Sequence, residues 1–285
     1  MNSKIIIAID AMGGENAPCK NIEGVSLFLK KNKKKNDVFF NLFGNENLIK
    51  KEISKYKISN DTYKIFPTSS IVSDEETPLT AIKNSKDSSM WNSINSQVVS
   101  NSNITLSAGN TGVLFVISRM LLKTIEAVSK PALAGLWPNK QNMNVVLDLG
   151  ANVECDENNL VDFSEMGAAL HKALFPEETP KVALLNIGSE EIKGTEILKK
   201  AYAKLKNISV HGDFEFNGFI EGNKITNGES NVIVTDGFTG NIALKTAEGT
   251  AKFITDSLKK SLTSTLLSKF SILFSYFALK KFKSK

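Results

Sequence analysis

The chain has 285 residues, 41% of them hydrophobic and 23% charged, which is apolar material for one large domain or two smaller ones. Its net charge of +5 is mild but uneven, with "KKNKKK" at 30–35 and "KKFKSK" at 280–285. Such blocks suit solvated faces, or an acidic protein, nucleic acid or anionic lipid. Two cysteines without CxxC spacing read as thiols rather than a disulfide framework, two histidines cannot supply a multi-His zinc site, no HExxH occurs, and no apolar run reaches the ~20 residues of a membrane span.

In chain order, "KIIIAID" opens as a strand, which reads as a chain without a signal peptide and therefore cytoplasmic. "AIDAMGGENAP" at 8–18 puts Asp10, Gly13 and Gly14 just beyond that strand. A helix with Val25, Phe28 and Leu29 leads to a second strand, "VFFNLFG". The Asn/Lys/Ser-rich stretch around 84–103 reads as surface. "ITLSAG" is a third strand, and its loop "SAGNTG" at 107–112, with Asn110, Thr111 and Gly112, runs into the helical "VLFVISRMLL". "NVVLDLG" follows, with "DLGANVE" at 148–154 beyond it. His171 falls in an apolar-spaced helix and reads as a packing residue. "VALLNIG" is the next strand, and "NIGSEEIKGTE" at 186–196 carries Lys193 into "ILKKAYAKL". The last strand, "VIVTDG", empties into Thr239, Gly240 and Asn241 before another helix.

Strands rich in β-branched residues, without alternation and separated by helices, predict an α/β layer fold with a mostly parallel sheet. Ligands in such folds sit beyond the carboxyl ends of the strands. Several small-residue turns at the same edge of one sheet, each before a helix, point to a phosphate-sized site, because free N–H groups at a helix start favour anions. GxxxxGK[ST] and GxGxxG are both absent, which disfavours nucleotide hydrolysis and a Rossmann cofactor. No metal and no cofactor is expected. From spacing alone Lys193 reads as a surface lysine or a loop cation, and Asn241 as a helix cap or an amide donor.

"AIDAMGGENAP", "SAGNTG", "KPALAGLWP", "LDLGANVECD", "FSEMGAA", "LLNIGSEEIKGTE", "FNGFIEGN" and "VTDGFTGNIALKTAEG" occur in that order. Together they resemble the PlsX family, the acyl-ACP:phosphate acyltransferases of bacterial phospholipid synthesis, from the first strand to about Leu267. The resemblance implies transfer of a fatty acyl group from acyl carrier protein to inorganic phosphate. It also implies a fold related to isocitrate dehydrogenase and phosphotransacetylase, and a homodimer. The acyl phosphate product would pass to a membrane glycerol-3-phosphate acyltransferase. Phosphate is itself the nucleophile in this reaction, so no activated Ser or Cys is needed. The resemblance carries Lys193 and Asn241 over as the catalytic pair, Lys193 for phosphate and Asn241 for the carbonyl oxygen. Asp10, Gly13, Gly14, Asn110, Thr111, Gly112, Thr239 and Gly240 are candidates for phosphate and substrate contacts, with Asp10 and Asp148 suited to ordering loops. The family has Asp where Glu15 stands and Arg where Lys130 stands, and it continues past the equivalent of Lys285, so this chain reads as shortened at its C-terminus.

The expected organisation is an α/β catalytic domain over 1–255 and an amphipathic helical arm over 256–285. In the arm, Leu266, Phe270, Leu273, Phe274 and Phe277 form one helical stripe followed by four lysines. The uncharged residues 270–279 would rise only ~15 Å, half a bilayer core. The arm therefore reads as a subunit contact or as an interfacial helix on an anionic membrane, and the family's helical hairpin favours the membrane. Alternatives to the lead reading are phosphotransacetylase-like transfer with coenzyme A and a non-catalytic membrane-associated remnant.

Overall fold

The computed structural model describes residues 4–32, 37–73, 75–210 and 212–265, with 275, 277 and 280 near the end. The chain divides into two compact units, Met1–Pro131 and Ala132–Lys285. The expected α/β domain thus comprises two bodies, each with its own sheet.

In the first unit, β1 (Ile5–Asp10), β2 (Val38–Gly44), β3 (Tyr63–Pro67) and β4 (Ile104–Leu106) form an all-parallel sheet in the order β3-β2-β1-β4. Helices α1 (Cys19–Lys31) and α2 (Glu46–Tyr56) bring Ile22, Val25, Ile49 and Ile53 onto Ile9, Phe40 and Leu42. Helix α3 (Pro78–Asn84), α4 (Ser89–Val98) and α5 (Thr111–Leu122) build a second cluster from Ala81, Met90, Ile94, Val113 and Ile117. The stretch around 84–103 is therefore not surface. It contains α4, which packs on β1 and β2 and buries its cap Ser88 and its own Ser89, Ser93 and Ser96 along with Met90 and Ile94. Small hydroxyl side chains let a helix lie close to a sheet, and their polarity hides the amphipathic pattern.

In the second unit the order is β5-β6-β9-β7-β8. Strand β5 (Gly135–Pro138) runs antiparallel to β6 (Met143–Leu147). Strands β6, β7 (Lys181–Asn186), β8 (Glu215–Glu221) and β9 (Val232–Val234) are mutually parallel. Alternate residues of the same central strands feed two cores. Val145, Leu147, Val182, Leu184, Val232 and Val234 join Phe163 of α6 (Glu157–Leu174) and Leu205 of α7 (Glu196–Ile208). Val146, Ala183, Leu185 and Ile233 join Ile220, Trp137 and Leu244, the last from α8 (Gly237–Thr263). Burial on both faces is why these strands read as unbroken apolar runs. Because there are two sheets, the loops after the strands fall into two groups rather than along one edge. Helix α8 continues through the expected 255/256 boundary without a break.

Candidate active site

Strand β9 lies between β6 and β7, so the loops after these three parallel strands are neighbours at one end of the second sheet. The loop after β6 is organised by Asp148, which is fully buried. Its Oδ1 accepts from the N–H groups of Leu133, Gly150 and Ala151 at 3.1, 3.1 and 2.9 Å. Its Oδ2 accepts from Asn152 N and Asn152 Nδ2, both at 2.8 Å. Five donors on one carboxylate compensate its burial.

Helix α8 starts directly on this loop. Gly237 N donates to the Asn152 carbonyl at 2.8 Å, and a Cβ on Gly240 would overlap the Asp148 carbonyl oxygen. Only glycine permits that approach. Asp236 is the cap: its Oδ1 accepts from Thr239 N and its Oδ2 from the Thr239 hydroxyl, both at 2.8 Å. Gly240 N donates to the Asp236 carbonyl at 2.9 Å. Three of the first four N–H groups of α8 are therefore taken up inside the protein, and the Thr239 proton with them. The free N–H cradle expected at this turn is absent from it. Asn241, one turn into the helix, is not the cap. Its carboxamide is exposed, lies against Gly150 and makes no hydrogen bond among the described residues.

The loop after β7 carries Lys193. Its N–H donates to the Glu190 carbonyl at 3.0 Å, and its own carbonyl accepts from Asn186 Nδ2 at 3.1 Å. The exposed Lys193 ammonium has no ion pair or hydrogen bond among the described residues. Glu191, two residues before it, is held by the Tyr202 hydroxyl at 2.6 Å and the Lys206 ammonium at 3.2 Å. The Tyr202 and Lys206 bonds keep the Glu191 carboxyl below its usual range, and the Glu191 carboxylate pushes the Tyr202 phenol up to about 12.

The first unit has its own loops at the carboxyl end of its sheet. Asp10 is buried, and its Oδ2 accepts the Ser107 hydroxyl at 2.7 Å. Burial raises its carboxyl above the ordinary carboxylate range, and the Ser89 and Ser107 hydroxyls oppose that rise. Asn21 Nδ2 donates to the carbonyls of Ala11 and Gly13 at 3.0 and 2.9 Å, closing the turn of Gly13 and Gly14. Gly14 has φ +87° and backs onto the Ala108 carbonyl. Asn110 caps α5, accepting from Val113 N at 3.1 Å and donating to the Glu76 carbonyl at 3.0 Å. The exposed N–H groups of Thr111 and Gly112, next in the helix, make no hydrogen bond among the described residues.

The expected residues thus fall into two sets. Lys193, on the loop after β7, and Thr239, Gly240 and Asn241, in the first turns of α8 after β9, lie in the second unit, and Asp10, Gly13, Gly14, Asn110, Thr111 and Gly112 in the first. Leu266, Phe270, Leu273 and Phe274 lie outside the described residues, while Phe277 is helical and exposed. His171 is in the core of α6, its ring against Phe175. Asn21, Asn186, Asn152 and Asp236, which shape the loops, are absent from the sequence-derived set. Asn186, Asn152 and Asp236 stand inside quoted motifs, but nothing in those motifs marks a side chain that bonds to the main chain.

Residues 5–285 match the family model described as fatty acid synthesis protein. The phosphate acyltransferase of Pelagibacter ubique is 53% identical over 284 residues, covering 99% of this chain and 84% of that relative. The phosphate acyltransferase of Caulobacter vibrioides is 38% identical over 285 residues, covering 100% of this chain and 78% of that relative. Among solved structures, the EutD phosphotransacetylase from Staphylococcus aureus matches with a TM-score of 0.61 at 13% identity, over 88% of this chain and 84% of that one. A phosphotransacetylase from Streptococcus pyogenes matches with a TM-score of 0.62 at 12% identity, over 87% and 82%. At such identities the two structures speak for the fold alone.

Proposed function

The chain belongs to the fatty acid synthesis protein family, and from that premise we propose how its loops carry out the reaction of a phosphate acyltransferase. The protein transfers a fatty acyl group to inorganic phosphate, giving acyl phosphate for phospholipid synthesis. The donor in this reading is the thioester of acyl carrier protein. A phosphate oxygen attacks the thioester carbonyl, a tetrahedral oxyanion forms, and collapse breaks the C–S bond, releasing the carrier thiolate. Lys193 holds the phosphate and offsets its charge, and the Asn241 amide donates to the developing oxyanion. The observation that carries this assignment is the contrast within the second unit. Lys193, from the loop after β7, and Asn241, from the start of α8 after the adjacent β9, project side chains unengaged among the described residues, while the polar groups around them are bonded to one another. In the first unit, Thr111 and Gly112 supply open N–H groups for an anion, while Asp10, Gly13, Gly14 and Asn110 shape that turn.

The experiment is purified protein with acyl carrier protein thioester and phosphate, the acyl phosphate being trapped with hydroxylamine. Lys193→Ala should lose most of the activity while keeping its fold by circular dichroism. Near-normal turnover of that variant at saturating phosphate would remove Lys193 from the phosphate site. A preference for the coenzyme A thioester would favour the phosphotransacetylase-like alternative.

The same reading makes the protein a homodimer in the cytoplasm, touching the inner face of the membrane through residues 256–285 and passing acyl phosphate to a membrane glycerol-3-phosphate acyltransferase. What supports it is α8. Beyond its first turns the helix is exposed, with Phe253 at 71% and Ile254 at 58%, and Phe277 further on is 80% exposed. No helix of the described residues is long and apolar enough to cross a membrane.

A further inference from the structure

We propose that Asn186 is a positioning residue for the acyl transfer, fixing where the Lys193 ammonium stands; the inference rests on Lys193 being the phosphate-holding cation. Asn186 is the last residue of β7, paired with Glu221 of β8, so its backbone belongs to the sheet rather than to the loop. Only 8% of it is exposed. Its carboxamide reaches both ends of the loop that follows. Oδ1 accepts from Ile187 N at 2.8 Å, and Nδ2 donates to the carbonyl of Lys193 itself at 3.1 Å. Gly194, with φ +89°, turns the chain directly over that carboxamide, and a Cβ there would overlap Asn186 Oδ1.

The loop is closed from both sides of Lys193. Upstream, the Lys193 N–H donates to Glu190 at 3.0 Å, and a Cβ on Gly188 would stand 3.2 Å from Lys193 Cγ. Glu191 is tied to α7 through Tyr202. Of these ties, only Asn186 connects the Lys193 backbone to the sheet through a side chain. The lysine side chain is long and its ammonium is held by nothing else among the described residues. The place of its Cα therefore decides which volume the ammonium samples, and a small misplacement of a reacting group is costly.

Asn186→Asp tests this with little change of shape. The carboxylate still accepts from Ile187 N but presents a lone pair to the Lys193 carbonyl, so the loop opens there. Gly194→Ala disturbs the same clasp from the other side without adding charge. The measurement is steady-state kinetics of the full chain with inorganic phosphate varied at fixed acyl carrier protein thioester, then the reverse, with melting followed in parallel. The expected result is a rise of about tenfold or more in the phosphate KM for both variants, with the KM for the acyl donor unchanged. In a Lys193→Ala background neither variant should weaken phosphate use further, because coupled residues are not additive.

A folded Asn186→Asp with the wild-type phosphate KM overturns the proposal, as does a loss that adds in full to that of Lys193→Ala. If Asn186→Asp fails to fold, Gly194→Ala decides by the same two criteria. If Lys193→Ala itself keeps normal activity, the reading beneath falls, an outcome distinct from the other two.

Discussion

At the scale of single residues, the discriminating position is Asn241. As a helix cap it would stabilise α8; as an oxyanion donor it would act in the transition state. Asp236 holds the cap, so Asn241→Ala should leave the melting temperature nearly unchanged. Its kcat should fall by about 10²–10³ with little change in either KM, because a donor to the oxyanion works mainly after binding. Steady-state kinetics with both substrates checks this, and weaker binding at unchanged kcat would exclude the role. Lys193 and Asn241 could be singled out as candidates because the motifs that contain them are long and in family order. Asn186 and Asn21 were not. Each serves backbone carbonyls, and a neutral side chain bonded to main chain leaves no charge or spacing pattern. Their roles become visible only once the loop around them is closed.

At the scale of elements, the six strands read from the sequence are all present, and the three further strands among the described residues are edges. Strands β3, β5 and β8 have a neighbour on one side only. "YKIFP" and "GLWP" end in Pro, and "EFNGFIE" carries Asn217 and Gly218, so none shows the apolar run that burial on both faces imposes. Helix α8 was legible in its start and not in its length. Past its first two turns it exposes Phe253, Ile254 and Leu258, which no other described element covers. Replacing these three by Ser should release the protein from anionic vesicles in co-sedimentation. Each apolar side chain contributes roughly 1.5–3 kcal/mol when fully buried, against ~1 kcal/mol for each Lys near an anionic surface. If the variant still pellets at high salt but turns monomeric by light scattering, these three side chains belong to a subunit interface instead.

At the scale of the whole molecule, stability should depend on pH through His171. Its ring is fully buried in α6, with Nε2 3.4 Å from Glu178 Oε2 but without hydrogen-bond geometry. Burial lowers its pKa below the ordinary 6.5, Glu178 works against that, and Lys172 adds to it. The folded protein then holds fewer protons than the unfolded chain as pH falls through that ordinary value, so stability present above it is lost below it. Melting temperature should drop between pH about 7 and about 5.5, and the drop should shrink in His171→Leu. Asp10 pulls the other way at lower pH, since its raised pKa makes protonation a relief of buried charge. An unchanged pH profile in the variant would assign the loss elsewhere. The strand order of the second sheet also dictates a sequence of events in time. Strand β9 occupies the place between β6 and β7, yet it is the last of the described strands to leave the ribosome. Until residues 232–234 emerge, β6 and β7 have no strand to join them, and Lys193 and Asn241 have no common frame. The nascent chain closes the centre of this sheet and brings the two proposed positions together in one late step, so a ribosome halted before that strand carries an open, unpaired gap at the centre of the unit, a surface for chaperones.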